Sequence, residues 1–253
     1  MSVYITGDLH GDFSRFHTDE FKKTSPSIRK GDYLIITGDF SVIVDRRPSF
    51  RELVKKIQAS SLPFTILFID GNHENHDRLA ALPVSEWNGG LVHRITPSII
   101  HLMRGQIYTI EGKKYFTFGG ARSHDLPEGP LYRDDPQFEE KREDFERRGV
   151  FYRIAYEDWW PTEMPTDEEY AEGLRNLEKH GGAVDYIITH CCASSVQEKI
   201  YRGHSDPDEL TEYLEGIRST VSFSHWYFGH YHSDSEVSES ETLVHRRIIS
   251  LYS

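Results

Sequence analysis

Residues 64–74, FTILFIDGNHE, decide how the rest of the chain is read. Their first half is a continuous apolar run rich in β-branched and aromatic residues, closed by Asp70-Gly71. A run this short and this apolar predicts a strand covered on both faces. Their second half sets Asn72 and His73 directly beyond the strand end. In an open α/β sheet that is where ligands bind.

The same arrangement recurs on both sides. Residues 3–6 end in Gly7-Asp8-Leu9-His10-Gly11, residues 33–37 in Gly38-Asp39, residues 184–189 in His190, and residues 222–228 in Gly229-His230-Tyr231-His232. Residues 115–118 form a further strand. Amphipathic stretches at 13–23, 49–60, 77–82 and 167–180 predict helices between them. Strands alternating with helices define an α/β sandwich, with residues 91–118 supplying an antiparallel portion. The acidic stretch 233–241 reads as a solvated turn before a last strand at 243–251.

At 253 residues the chain has material for one large domain or two small ones, at roughly 150 residues per domain. We read residues 1–253 as a single domain. Residues 122–166, dense in charge, aromatics and proline, form an insertion in it. The longest apolar runs fall far short of the roughly 20 residues a membrane span needs, and the first residues carry no export signal, so no membrane partner is expected. Two adjacent cysteines, Cys191 and Cys192, cannot staple a fold of this size, which points to a reducing compartment, the cytoplasm. Twenty-nine Lys and Arg against 41 Asp and Glu leave a net charge of −12. That balance disfavours a grip on long nucleic acid and leaves a small phosphorylated substrate as the expected partner; the oligomeric state stays open.

The residues after the strands share one chemistry. Asp8 and His10 are two apart, as are His230 and His232, so in an extended segment both members of each pair point to one side. The flanking glycines permit tight turns toward a common point. A carboxylate such as Asp39 can bridge two cations, one through each oxygen. Asp8, His10, Asp39, Asn72, His190, His230 and His232 make seven oxygen and nitrogen ligands. That is too many for one tetrahedral zinc and suited to two divalent metal ions roughly 3.5–4 Å apart, with manganese, iron or zinc fitting the donor types.

The ordered blocks DxH, GD, GNHE, H and GHxH, from residue 8 to residue 232, resemble the signature of the calcineurin-like metallophosphoesterase superfamily. The resemblance implies a four-layer α/β sandwich of mixed sheets flanked by helices. It further implies one metal held by Asp8, His10 and His232, another by Asn72, His190 and His230, and Asp39 bridging them. In that family a metal-bridging hydroxide attacks phosphorus. The histidine matching His73 contacts the phosphate and protonates the leaving oxygen. The implied activity is hydrolysis of phosphomonoesters or phosphodiesters of a small substrate. Protein serine/threonine phosphatases of the superfamily carry an aspartate that orients this histidine; here Val42 stands at that position, and Asp45, Arg46 and Arg47 come three residues too late. Glu74 is a candidate partner for His73 by adjacency alone. A nuclease or protein phosphatase is the rival enzyme, and a non-catalytic interaction module is the rival from another class.

Outside the motifs, Gly119 to His124 resembles segments that border the metal site in bacterial relatives, which makes Arg122 and His124 candidate phosphate contacts. Arg133 joins them because, like Arg122, it precedes the dense charge run of the insertion. The remaining arginines there are expected to pair with neighbouring carboxylates. Trp159 and Trp160 read as anchors of the insertion, and Cys191 and Cys192 as small residues filling space behind the His190 loop.

Overall fold

The computed structural model describes residues 1–12, 15–16, 28–41 and 64–251. The helix expected at 49–60, all but residues 15–16 of the one expected at 13–23, and Val42, Asp45, Arg46 and Arg47 lie outside these residues. In chain order the described elements begin with β1 (Val3–Thr6), β2 (Tyr33–Ile36), β3 (Thr65–Phe68), α1 (His76–Ala80), β4 (Val84–Trp87), β5 (Gly90–Thr96) and β6 (Ile99–Leu102). Next come β7 (Gln106–Ile110), β8 (Lys113–Phe118), α2 (Phe138–Arg148), α3 (Asp167–Lys179), β9 (Tyr186–Thr189), α4 (Ser194–Ile200) and α5 (Glu209–Thr220). The chain closes with β10 (His225–Phe228), β11 (Ser235–Ser238), β12 (Glu241–Leu243) and β13 (Ile249–Ser250).

Two mixed sheets result, in the orders β13-β1-β2-β3-β6-β5-β4 and β11-β12-β10-β9-β8-β7. β1, β2, β3 and β6 run parallel, as do β8, β9, β10 and β12. The expected antiparallel portion is present in β5 against β6 and β7 against β8. Alternate residues of each strand serve opposite faces, and both faces are apolar. Ile5, Ile35 and Leu67 of the first sheet meet Tyr108, Tyr115 and Ile188 of the second in a shared inner core. Phe116, Ile187, Trp226 and Phe228 point the other way and pack against Leu177 of α3, Val196 of α4 and Leu214 of α5. On the far side of the first sheet, Leu34, Ile36 and Phe68 pack with Phe16 and Leu79. The molecule is thus a mixed α/β sandwich with helices, as the sequence predicts.

Two expectations near the end of the chain need correction. The stretch 233–241 is not only a turn: residues 235–238 form the edge strand β11, antiparallel to β12. The last strand is also two strands in different sheets, β12 and β13. The chain breaks between them where the backbone N–H groups of His245, Arg246 and Arg247 donate to the Asp234 carboxylate.

Between β8 and α3 the chain builds a small core of its own from Leu131, Phe138, Phe145 and Ile154. Trp160 is buried, its indole N–H donating to Asp77 Oδ2 at 2.9 Å. On α2 the arginines pair with carboxylates as expected: Arg142 with Glu139 and Glu146, and Arg147 with Asp144.

Candidate metal centre

Because β1, β2, β3, β9 and β10 are parallel within their sheets, their carboxyl ends bring five loops to one edge of the sandwich. Backbone hydrogen bonds tie these loops together before any side chain acts. Leu9 N and His10 N both donate to Asp39 O, and Gly229 N donates to His190 O. The loops also approach closely. A Cβ at Gly38, where φ is +99°, would overlap the His190 ring, and one at Gly71 would overlap Asp39 Oδ1.

The paired residues converge by a different route from the extended segments the spacing suggests. His10, Asp39, His230 and His232 have φ of 47°, 47°, 71° and 47°. Left-handed backbone at a residue with a side chain costs about 1–3 kcal/mol, and it persists where the surroundings impose it. Four of the seven candidate ligands carry this strain, so the loops are turned to aim side chains inward.

The aim defines two half-sites on either side of Asp39. Asp39 Oδ2 lies 3.7 Å from His10 Nε2, and His10 Nε2 is 2.9 Å from His232 Nε2, itself 3.3 Å from Asp8 Oδ2. Asp8, His10, Asp39 and His232 place ligand atoms within 4.8 Å of one another, the one such group among the described residues. On the other side, Asp39 Oδ1 lies 3.4 Å from His190 Nε2, which is 3.2 Å from Asn72 Oδ1. The His230 ring centroid is 5.0 Å from that of His190. All seven predicted ligands therefore sit at this edge.

The donor set fits bound cations. His190 Nδ1 lies 2.7 Å from Thr37 O, so it carries the ring hydrogen and leaves the Nε2 lone pair facing Asp39 Oδ1 and Asn72 Oδ1. Both of those oxygens are acceptors. Nε2 and these oxygens surround a point that calls for positive charge, met by a proton on Nε2 in the metal-free chain or by a bound cation. The titration behaviour carries the same message. Burial works to lower the His190 pKa, yet Asp39 and Asp8 raise it to about 10. Burial works to raise Asp39, yet His190, His73 and His10 hold it well below the usual carboxylate range. His230, by contrast, is held well below the ordinary imidazole value by burial and by the neighbouring His190.

Several supporting residues were not legible as such. Asn72 donates its amide N–H to Ser123 Oγ at 3.0 Å, which turns its Oδ1 inward. Ser123 is clamped by the buried Glu163, which accepts from its backbone N at 2.8 Å and its Oγ at 2.6 Å. Glu163 lies between β8 and α3, in a proline-flanked stretch without periodicity, so nothing in the sequence marks it. Glu74 is not the partner of His73. Its carboxylate accepts from Phe40 N, Ser41 N and Gly71 N at 2.9, 3.1 and 3.2 Å, stitching the Asp39 loop to the Asn72 loop. Burial beside Asp39 pushes its pKa up to about 8.

His73 projects to the rim of the centre, its Nε2 3.9 Å from Asp39 Oδ2. The group against it is Arg153, whose Nη1 is 3.0 Å from His73 Nδ1. Of the three predicted substrate contacts, His124 reaches the centre, its ring centroid 5.2 Å from that of His230. Arg122 is ion-paired with Asp206, and Arg133 with Glu157 on the exposed surface at 2.6 Å. The insertion arginine that touches the site follows the charge run instead of preceding it. Cys191 and Cys192 are buried free thiols, and burial pushes Cys192 up to about 12, so neither presents a thiolate.

A cluster of carboxylates and histidines that could hold a metal ion thus stands at the carboxyl ends of the strands of a mixed α/β sandwich. The chain belongs to the calcineurin-like phosphoesterase family, whose model matches residues 1–234. Membership implies phosphoester hydrolysis and divalent metal ions. Among solved structures, the crystal structure of a phosphopantetheinyl hydrolase from Mycobacterium tuberculosis is similar at 13% identity, over 96% of this chain and 88% of that one, with a TM-score of 0.42. No curated protein matches the chain.

Proposed function

We propose that the protein is a dinuclear metal-dependent phosphoesterase acting on a phosphomonoester or phosphodiester of a small substrate. The observation that carries this reading is Asp39: its Oδ1 faces His190 while its Oδ2 faces His10, so one buried carboxylate addresses two half-sites. Asp8, His10 and His232 would hold one ion, and Asn72, His190 and His230 the other. When bound, two such ions supply Lewis acidity toward a water and charge neutralisation at the phosphoryl oxygens. The mixed donors suit manganese, with iron or zinc as alternatives.

The chain's own residues do the rest. Glu163, through Ser123, keeps the Asn72 oxygen inward; Thr37 O fixes the His190 tautomer. His73 stands at the rim, outside both ligand sets, where it can donate a hydrogen bond to the phosphoryl group and to the charge developing on the leaving oxygen. His124 stands beside His230, their ring centroids 5.2 Å apart. The net charge of −12 favours a small phosphorylated substrate over long nucleic acid. The paired free cysteines favour the cytoplasm. No helix among the described residues is long and apolar enough to cross a membrane.

The test is hydrolysis by manganese-, iron- and zinc-loaded protein of p-nitrophenyl phosphate, its diester, and a panel of phosphorylated metabolites. His73→Ala should lower turnover while leaving the metal content intact, and the loss should be smaller for p-nitrophenyl esters than for poor leaving groups. A folded, metal-loaded protein that hydrolyses none of these would overturn the reading.

A further inference from the structure

We propose that Arg153 is a positioning residue for His73: it fixes the imidazole as the Nε2–H tautomer and holds that N–H toward the reacting phosphoryl group. The inference rests on the phosphoesterase reading above and assigns the insertion a part in it.

An arginine can only donate hydrogen bonds, so a neutral imidazole meeting it must accept. Arg153 Nη1 lies 3.0 Å from His73 Nδ1, whereas its Nη2 lies 3.5 Å from Nε2, beyond ordinary hydrogen-bond length. Nδ1 is therefore the accepting atom and the ring hydrogen sits on Nε2. On the far side of the ring Nε2 lies 3.9 Å from Asp39 Oδ2, too far for a hydrogen bond, so its N–H stays available toward the centre of the site.

The guanidinium is itself held. Its Nη2 donates to Asp125 Oδ2 at 2.6 Å and its Nη1 to Asp158 O at 3.2 Å. Its carbon lies 5.4 Å from the centroid of the Phe151 ring. The backbone is pinned where Leu131 N donates to Arg153 O, beside the bridge between Leu131 and Ile154, two members of the insertion's own core. A rigid element thus delivers a donor to one nitrogen of His73, and its partner Asp125 follows the strand whose end borders the site. A carboxylate in that place would accept from Nδ1–H and leave Nε2 bare in the neutral ring. Arg153 imposes the opposite arrangement, with the hydrogen already facing the phosphoryl oxygens.

The test is a long-range proton–nitrogen spectrum of the histidine rings in the full chain loaded with diamagnetic zinc. At pH 8, above the ordinary imidazole range, His73 is assigned by the signals lost in His73→Ala. The native protein should show His73 with its hydrogen on Nε2. Arg153→Ala should lose that single-tautomer pattern, and Arg153→Lys, which can still donate, should keep it. With a poor leaving group, Arg153→Ala should lower kcat on the order of tenfold or more with KM little changed, and Arg153→Lys should recover most of the loss. A native His73 with its hydrogen on Nδ1 overturns the proposal, and so does an Arg153→Ala spectrum identical to the native one. A kinetic effect confined to KM would make Arg153 a phosphate clamp and overturn it too. The native spectrum decides even if a variant fails to fold. Because it needs no turnover, its outcome stands apart from whether the protein hydrolyses any ester.

Discussion

Two clusters of buried carboxylates and histidines flank the turn after β3, one centred on Asp70 and the other on Asp39, and they are built to opposite specifications. Asp70 is closed. Its Oδ2 accepts from Arg104 Nη2 and Nε at 2.6 and 2.9 Å, and its Oδ1 lies 3.1 Å from His101 Nε2. Arg104 spends its remaining donors on Glu169, Thr162 O and Glu163 O. Asp39, by contrast, is open. Its Oδ1 accepts from His73 N at 2.9 Å, but the histidine ring nitrogens around it stand at 3.4 to 3.9 Å, and the backbone around it is left-handed at several residues. A buried carboxylate needs compensation in either place. In the first cluster a guanidinium supplies it from within the chain; in the second the lone pairs are gathered for positive charge from outside. The inventory of residue types is nearly the same, and the supply of hydrogens separates them.

The sharpest way to break this contrast is to neutralise each carboxylate in turn. Asp70→Asn leaves Arg104 buried with its main counter-charge gone and should destabilise the fold by about 3–5 kcal/mol in urea or thermal unfolding. Asp39→Asn should cost the metal-free fold less, because the histidines it leaves can give up their protons whereas Arg104 cannot. Equal losses for the two variants would erase the distinction between a closed cluster and an open one.

A second prediction uses pH on metal-free protein. Burial holds His76 and His93 down to about 4, against an ordinary value near 6.5. Below about pH 6.5 the unfolded chain takes up protons that the folded one refuses until about pH 4, so stability should fall across that window. Burial would raise Asp70, but Arg104 and His101 hold it far below the carboxylate range, which adds a further loss below about pH 4. The open cluster works in reverse. His190 is raised to about 10, so its contribution is complete below about pH 6.5 and is lost as pH rises toward 10; Glu74, raised to about 8, acts in the same direction. Each limb should amount to a few kcal/mol, on the order expected from linkage. Saturating manganese should suppress the alkaline loss and leave the acid one. An alkaline limb indifferent to metal would contradict the assignment of the open cluster.

A smaller effect is expected from the support shell. Glu163→Gln keeps the volume but weakens the clamp on Ser123 that orients Asn72, and should weaken binding of one of the two ions by about 10–100-fold in calorimetric titration. Native affinity for both ions would show that Asn72 needs no such support.

The strands and the ligand loops were legible because each couples a short apolar run to Gly, Asp, Asn or His, a pattern that buried parallel strands require. The rest was legible unevenly. Helix α5 carries a plain signal, Asp208 as its cap and Leu210, Leu214 and Ile217 on one face, which a strand-centred reading leaves aside. β11 had none, since SEVS is polar and becomes a strand only by pairing with β12. The left-handed turns at His10, Asp39 and His232 could not be read from residue types that usually avoid them; tertiary contacts impose them. Arg153 and Glu163 reach the site from the segment between β8 and α3, whose path no periodicity reveals.

The account stands most directly on the number of ions bound. Elemental analysis of folded, manganese-saturated protein after removal of free metal should give about two ions per chain, the number suited to a bridging carboxylate between two half-sites. Asp39→Asn should lower both occupancies together. A native chain that holds one ion or none would contradict the dinuclear centre.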